Sequence, residues 1–265
     1  MPRRSHNKKD LTYRDPRPPA RRSIYLYGKN SIETRIIHAP RTIRRIYIRD
    51  NFKDQRLIKM ITSQAISLCA MKQLRAHSSL PSERTFTVIA EVEPFVYHEL
   101  EDLLAEKSGK RSALIFLDGI EDPVNLGAIL RVCACFGGFG LIIPRHRACS
   151  INETVLHIAS GGENFVPVAQ VNPQDAFNKI KDAGYWLVGT LVDGGENINT
   201  ARLPFPLCLV VGAEGSGIRP GVVKQLDKKI TLPMPGARLS LNVAMSTAVF
   251  CYEITKQQNL QNPKF

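Results

Sequence analysis

The 265-residue sequence contains no run of 18 or more apolar residues, so no transmembrane helix is expected. It contains no CxxC pair. Its six cysteines, Cys69, Cys133, Cys135, Cys149, Cys208 and Cys251, do not have structural-zinc spacing, and its six histidines have no ligand-like spacing. No metal is therefore expected. Most of the cysteines sit in apolar segments and read as small buried thiols; reduced thiols suit a cytoplasmic protein. There is no Walker sequence and no G-x-G-x-x-G, and no internal repeat. The basic N-terminus lacks the apolar stretch of a secretory signal. Asp10, Asp15 and four prolines argue against the amphipathic helix of a transit peptide.

Positive charge is abundant, and it is unevenly placed. Residues 1–22 hold eight Lys/Arg against two Asp/Glu, residues 23–95 hold twelve against six, and residues 96–265 hold sixteen of each. The whole excess of +12 lies in the first third of the chain. Such asymmetry is the electrostatic footprint of a polyanion-binding protein. An anionic membrane fits less well than nucleic acid, because no strongly amphipathic basic helix accompanies the charge.

The pattern divides the chain into four parts. Residues 1–23, with Pro16, Pro18 and Pro19 among dispersed charges, read as a basic flexible arm. Residues 24–95 read as a small α/β domain, with strands at 24–28, 43–48 and 85–92 and helices at 30–38 and 57–70. Residues 96–112 form a polar linker with helical spacing over 98–112. From Ala113 to residue 258, short apolar strands alternate with helices, which predicts a mostly parallel sheet covered on both faces. Its strands are expected at 113–118, 140–144, 165–169, 186–190, 207–212 and 230–233. Its helices are expected at 125–136, 152–160, 173–183, 221–226 and 240–256.

Three segments of the second domain can carry chemistry, because loops at the carboxyl ends of parallel strands are where ligands bind. In LDGIEDPVNLGAILRVCACFG (117–137), Asp122 or Asn125 can cap a helix that begins near Pro123. Arg131 lies on this otherwise apolar helix and needs a reason; a salt bridge to Glu121 or Asp122 is the plain one. In LVVGAEGSGIRPGV (209–222), a strand runs into Gly212-Ala-Glu214-Gly215-Ser-Gly217, where glycines let a ligand approach the backbone. A simple glycine-rich turn would look the same. In ITLPMPGARLSLNVAMSTAVF (230–250), Ser240 or Asn242 can act as a helix N-cap.

Taken together, the three segments resemble the SpoU family of RNA ribose 2′-O-methyltransferases, within the SPOUT superfamily. The first is similar to the family's D-P-x-N-x-G-A-x-x-R, through Asp122, Pro123, Asn125, Gly127, Ala128 and Arg131. The second is similar to G-x-E-G-x-G, through Gly212, Glu214, Gly215 and Gly217. The third is similar to P-M-x-G…S-L-N-V, through Pro233, Met234, Gly236, Ser240, Leu241, Asn242 and Val243. Residues 113–256 carry this resemblance well; residues 24–95 resemble the family's smaller substrate-binding domain, which is ribosomal protein L30e-like. The stretch 158–171, IASGGENFVPVAQV, is similar to the branch acting on large-subunit (23S) ribosomal RNA, except that Gly161-Gly162 stands where that branch usually has Gly-Ala.

The resemblance implies an α/β fold with a trefoil-knotted parallel-sheet domain, a homodimer formed through the knot region, and S-adenosylmethionine (SAM) as methyl donor. It names Gly212, Leu232 and Leu241 for the cofactor, with Thr190 as an addition at its strand end. It names Arg131, Asn125, Glu214, Ser240 and Asn242 for catalysis. Guanidinium stays protonated, so Arg131 is expected to hold the target phosphate and stabilise developing alkoxide charge rather than to accept the proton. Arg41, Arg44, Arg45 and Arg49 are the expected RNA contacts. Alternatives are a tRNA ribose as substrate, a catalytically silent RNA-binding or assembly factor, and a nucleotide-dependent oxidoreductase; the missing dinucleotide motif lowers the last.

Overall fold

The computed structural model describes residues 24–74, 86–105, 113–236 and 239–261. The expected arm at 1–23, the end of the linker helix at 106–112 and the start of the strand expected at 85 lie outside the described residues.

The first sheet has four strands: β1 (Ile24–Tyr27), β2 (Ile43–Ile48), β3 (Leu68–Ala70) and β4 (Val88–Val92), in the order β1-β4-β2-β3. β4 runs antiparallel to β1 and β2, and β3 adds to the edge parallel to β2. Helices α1 (Lys29–His38) and α2 (Gln55–Ser63) cover one face. There Leu26, Ile32, Ile36, Ile46, Leu57, Ile61 and Val92 pack together. Tyr27, Tyr47, Met71, Leu74 and Ile89 form a smaller cluster.

The expected helix over 57–70 is half right. α2 is capped by Asp54, whose carboxylate accepts from Leu57 N at 3.1 Å, and it stops at Ser63. Ala65 then takes a left-handed φ of 52°, which no helix continues. The next residues turn back to add β3 beside β2. Leu57, Ile61, Ala65 and Leu68 had the right spacing, but only Leu57 and Ile61 are buried.

The second sheet has seven strands: β5 (Ala113–Asp118), β6 (Phe139–Pro144), β7 (Val168–Val171), β8 (Trp186–Leu191), β9 (Glu196–Asn197), β10 (Leu207–Gly212) and β11 (Lys228–Thr231). Their order is β7-β6-β5-β10-β8-β11-β9, and every pairing is parallel. β5 and β6 are buried at every position, as expected for strands covered on both faces. α4 (Pro123–Phe136), α5 (Glu153–Ala159) and α8 (Val243–Gln261) contribute to one core with Ile115, Leu117, Leu141 and Leu209. α3 (Leu100–Ala105), α6 (Pro173–Asp182) and α7 (Pro220–Val223) contribute to the other with Phe116, Phe177 and Val210. The strand expected at 165–169 is shifted to 168–171, because Gly162–Asn164 form a 3-10 turn first.

Candidate active site

In an all-parallel sheet every carboxyl end points to one edge. Here β5 ends at Asp118, β8 at Leu191, β10 at Gly212 and β11 at Thr231. A cleft of about 260 Å³ opens at that edge. All four positions named for a cofactor, Thr190, Gly212, Leu232 and Leu241, line it, together with Glu214 and Ser240. Leu191, Val192, Ser246 and Phe250 also line it and were missed. They sit outside any motif and reach the cleft only through the sheet order and the course of α8.

Gly212 shows what the glycine loop is for. A Cβ there would lie 2.2 Å from the carbonyl carbon of Gly217 and 2.3 Å from Ile218 N, so no side chain fits. The loop doubles back in a bridge between Ala213 and Gly217, with backbone N–H to O distances of 3.2 and 2.9 Å. Backbone is thereby brought to the cleft wall, between the apolar Val211, Leu232, Leu241 and Phe250. An apolar slot rimmed by backbone polar groups suits a nucleoside-containing ligand. Thr190 Oγ1 donates to Val210 O at 3.2 Å, tying β8 to β10 at the cleft.

The three motifs meet at the mouth of the cleft. Asn242 Nδ2 donates both to Asn125 Oδ1 at 2.8 Å and to Glu214 Oε1 at 2.6 Å. Glu214 Oε1 also accepts from Val243 N at 3.1 Å, and Asn242 Oδ1 accepts from Ala244 N at 2.9 Å. Asn242 is therefore both a cap of α8 and a bridge. Residues 117 positions apart in sequence share one amide group. Asp122, not Asn125, caps α4, accepting from Val124 N at 2.9 Å; this leaves the buried Asn125 side chain for the bridge.

Arg131 does not reach this network. It is exposed and does not line the cleft. It lies six residues beyond Asn125 on α4, about 9 Å along the axis. The plain alternative, a salt bridge to Glu121 or Asp122, is not formed: among the described residues no carboxylate pairs with Arg131. Arg131 instead shares a stripe of α4 with Val124, Ala128 and Cys135. Val124 is 47% exposed, and neighbouring α8 presents Met245, Val249 and Tyr252 at 62%, 39% and 58%. An exposed apolar stripe of this kind marks a surface meant to be covered.

A second arginine escaped the sequence reading. Arg219 clamps Asp118: its backbone N donates to Asp118 Oδ2 at 2.8 Å and its Nε to Oδ1 at 2.7 Å. Asp118 is buried and in register with Gly212. The pair fixes the 212–219 loop against the end of β5. Arg219 follows the glycine motif directly, but nothing in the sequence pointed to its partner 101 positions earlier.

The four arginines of the first sheet are not equivalent. Arg45 Nε pairs with Glu91 Oε2 at 3.2 Å. Tyr47, on the same face, donates its hydroxyl to that carboxylate at 3.1 Å. Burial, with Glu91 beside it, pushes the Tyr47 phenol up to about 12, so it stays a donor. Arg41 is exposed, Arg49 half-buried, and Arg44 stands where the β2–β4 register shifts. The cysteines take no part in the cleft lining. A hydrogen bond to Cys251, with burial, pushes the Cys133 thiol well up, and burial does the same to Cys208. Among the described residues no three His, Cys, Asp or Glu are grouped to hold a metal ion, and no helix is long and apolar enough to cross a membrane.

The model of the SpoU rRNA methylase family matches residues 112–252. The chain is 34% identical over 242 residues to the 23S rRNA (guanosine-2′-O-)-methyltransferase RlmB of Nitrosomonas europaea, covering 89% of this chain and 93% of that one. The SpoU methyltransferase AviRb of Streptomyces viridochromogenes, solved with the cofactor AdoMet, superposes with a TM-score of 0.70 at 21% identity, covering 89% of this chain and 90% of its own. The TrmH/SpoU tRNA modifying enzyme of A. aeolicus reaches a TM-score of 0.52 at 29% identity over 61% of this chain and 85% of its own. The chain belongs to the SpoU rRNA methylase family.

Proposed function

We propose that this enzyme transfers a methyl group from SAM to a ribose 2′-hydroxyl of large-subunit ribosomal RNA. The observation that carries the reading is the Asn125–Asn242–Glu214 network at the mouth of the glycine-walled cleft. SAM, when bound, supplies an electrophilic methyl on a sulfonium. Gly212, Leu232 and Leu241 would hold it, with Thr190 at the far wall. The 2′-hydroxyl must then be placed in line and relieved of its proton. Ser240 and Glu214, at the rim, would orient the ribose, and Asn125 and Asn242 hold Glu214 in place. Arg131 would grip the adjoining phosphate and stabilise the alkoxide, the proton leaving through water or phosphate.

Arg131 needs a route to the cleft, and the α4/α8 stripe supplies one. We place a homodimer interface on Val124, Met245, Val249 and Tyr252, with Arg131 inside it. A second copy then brings a guanidinium to a cleft that, among the described residues, no arginine of the single chain lines. A trefoil knot in the parallel-sheet domain belongs to this reading. So does the division into an RNA-binding domain at 24–95, a linker at 96–112 and a methyltransferase domain at 113–258. A cytoplasmic location goes with the substrate.

Ribosomal RNA is favoured over tRNA because the similarity to the 23S rRNA enzyme extends over 89% of the chain and so takes in the small four-stranded unit. The test is to incubate the protein with labelled SAM and, separately, tRNA and large-subunit ribosomal RNA from cells lacking the gene. Alkali digestion follows. Label in alkali-resistant dinucleotides from the ribosomal pool alone is the expected result. Label only in tRNA would reassign the substrate, and none in either pool would move the silent binding factor to the front.

A further inference from the structure

Between the two sheets lies a buried ion pair that the chemistry above does not use. Arg35 of α1 donates through Nη2 to Glu163 Oε1 at 2.9 Å, and the two side chains are 7% and 0% exposed. Arg35 Nη1 reaches Thr42 Oγ1 at 3.2 Å, and Asn164 Nδ2 donates to Glu163 Oε1 at 3.1 Å. Yet Arg35 Nε and Glu163 Oε2 are buried with no hydrogen-bond partner among the described residues. A buried ion pair whose polar atoms are not all satisfied is a poor source of stability; apolar residues of similar volume usually do as well or better. Its presence asks for another reason.

The 3-10 turn that carries Glu163 supplies it. Gly161, at φ +93°, leaves no room on its α1 side, where a Cβ would meet the Thr34 Cβ at 2.6 Å. Gly162 faces the other way, where a Cβ would lie 3.2 Å from the Arg131 Cα and 3.3 Å from the Ala134 Cβ. Three consecutive residues thus touch α1 by close backbone approach, α4 at Arg131, and α1 again by a charge. Outside the pair, His38 of α1 meets Phe165 edge to face at 4.5 Å between ring centroids.

We infer that Arg35 and Glu163 are positioning residues: through the 161–163 turn they fix the four-stranded unit relative to Arg131, and so set the RNA against the methyl-transfer site. The inference rests on the reading of Arg131 and of the small sheet given above. The directional charge pair gives the contact between the two units one orientation, where an apolar contact would slide. A displacement of an ångström at the reacting atoms can cost about a hundredfold in rate.

The experiment uses the full chain with Arg35→Met and Glu163→Leu combined, which removes both charges and leaves none buried alone, and the neutral polar pair Arg35→Gln with Glu163→Gln as the milder partner. Readouts are thermal melting, calorimetry with SAM, methyl transfer to large-subunit ribosomal RNA at saturating RNA, and deuterium uptake across 123–136. The expected result is melting within a few degrees of the parent, SAM affinity within twofold, and kcat lower by about tenfold or more. Peptides holding Arg131 should exchange faster. A folded double variant with kcat within twofold of the parent, or with unchanged uptake around Arg131, overturns the inference. A loss of kcat that merely follows the unfolded fraction overturns it too, by making the pair a stabilising contact only. Should that double variant not fold, the Arg35→Gln/Glu163→Gln pair is read by the same criteria. A parent protein that transfers no methyl would sink the proposed activity instead, while the uptake comparison still decides the role of the pair.

Discussion

The two sheets of this protein are built to different plans. The seven-stranded sheet is parallel throughout, its central strands are apolar at nearly every position, and the residues from 96 onward carry no net charge. The four-stranded sheet is antiparallel except for its edge, and it carries arginines on β2 with a surplus of six positive charges over residues 23–95. A parallel sheet has both faces covered, so the free place for a ligand is the edge where its strands end, and backbone and glycine do the binding there. An antiparallel sheet can leave part of a face to solvent, where charged side chains meet a polyanion. One region should therefore fail by geometry, and the other by charge and salt.

The sharpest break of that comparison is Arg131→Ala. With the oligomeric state and SAM binding unchanged, turnover should fall by about 10²–10³-fold. Near-normal turnover, or the same in Arg131→Lys, would mean the guanidinium does not serve the chemistry. Next is Gly212→Ala, whose Cβ would meet Gly217 backbone at 2.2 Å. The loop must shift, at about 1–3 kcal/mol, and SAM affinity should drop by about tenfold or more; an unchanged Kd would show the loop is not the cofactor wall. Met245→Glu, on the exposed apolar stripe, should convert dimer to monomer in light scattering with the fold retained. A dimer that survives it would move the interface elsewhere.

The small sheet should respond differently. Reversing Arg44 and Arg45 to Glu should weaken RNA binding by about tenfold near physiological salt and flatten its salt dependence. SAM binding should stay as it was. The smallest effect concerns acid. The Lys29 ammonium, followed by the Leu57 N–H, holds the Asp54 carboxyl below its ordinary range. A carboxylate lowered on folding stabilises the fold above its unfolded pKa, and that contribution goes as pH falls through the folded value. Asp54→Ala should lower Tm by a few degrees at neutral pH. The gap between variant and parent should close as the pH falls below about 4. A gap that is constant with pH would mean the cap works without its charge.

Much of the larger sheet could be read in the residues. Runs such as ALIFLD and LCLVVG allow little but buried strands, and Asp122-Pro123 marks the start of α4 whatever follows. Of the positions proposed for the cofactor, Gly212, Leu232 and Leu241 were named through the motifs and Thr190 through its strand end, and all four line one cleft. The small sheet was harder. Leu57 to Leu68 keeps helical spacing past the point where the left-handed Ala65 ends the helix, and spacing cannot register a single backbone torsion. Nor could it show that Glu91, on a neighbouring strand, engages one of the four arginines.

By itself, the sequence determined what each segment is and which residue types carry the chemistry: apolar runs, caps, glycines and a separated surplus of arginine are local properties, written in adjacent residues. The tertiary structure alone decided what each of those residues touches. Asn125 meets Asn242 across 117 positions, Asp118 meets Arg219 across 101, and Arg35 meets Glu163 across 128. Strand order, not spacing along the chain, brings these pairs together, and each partner is an ordinary polar residue until the sheet sets it opposite the other.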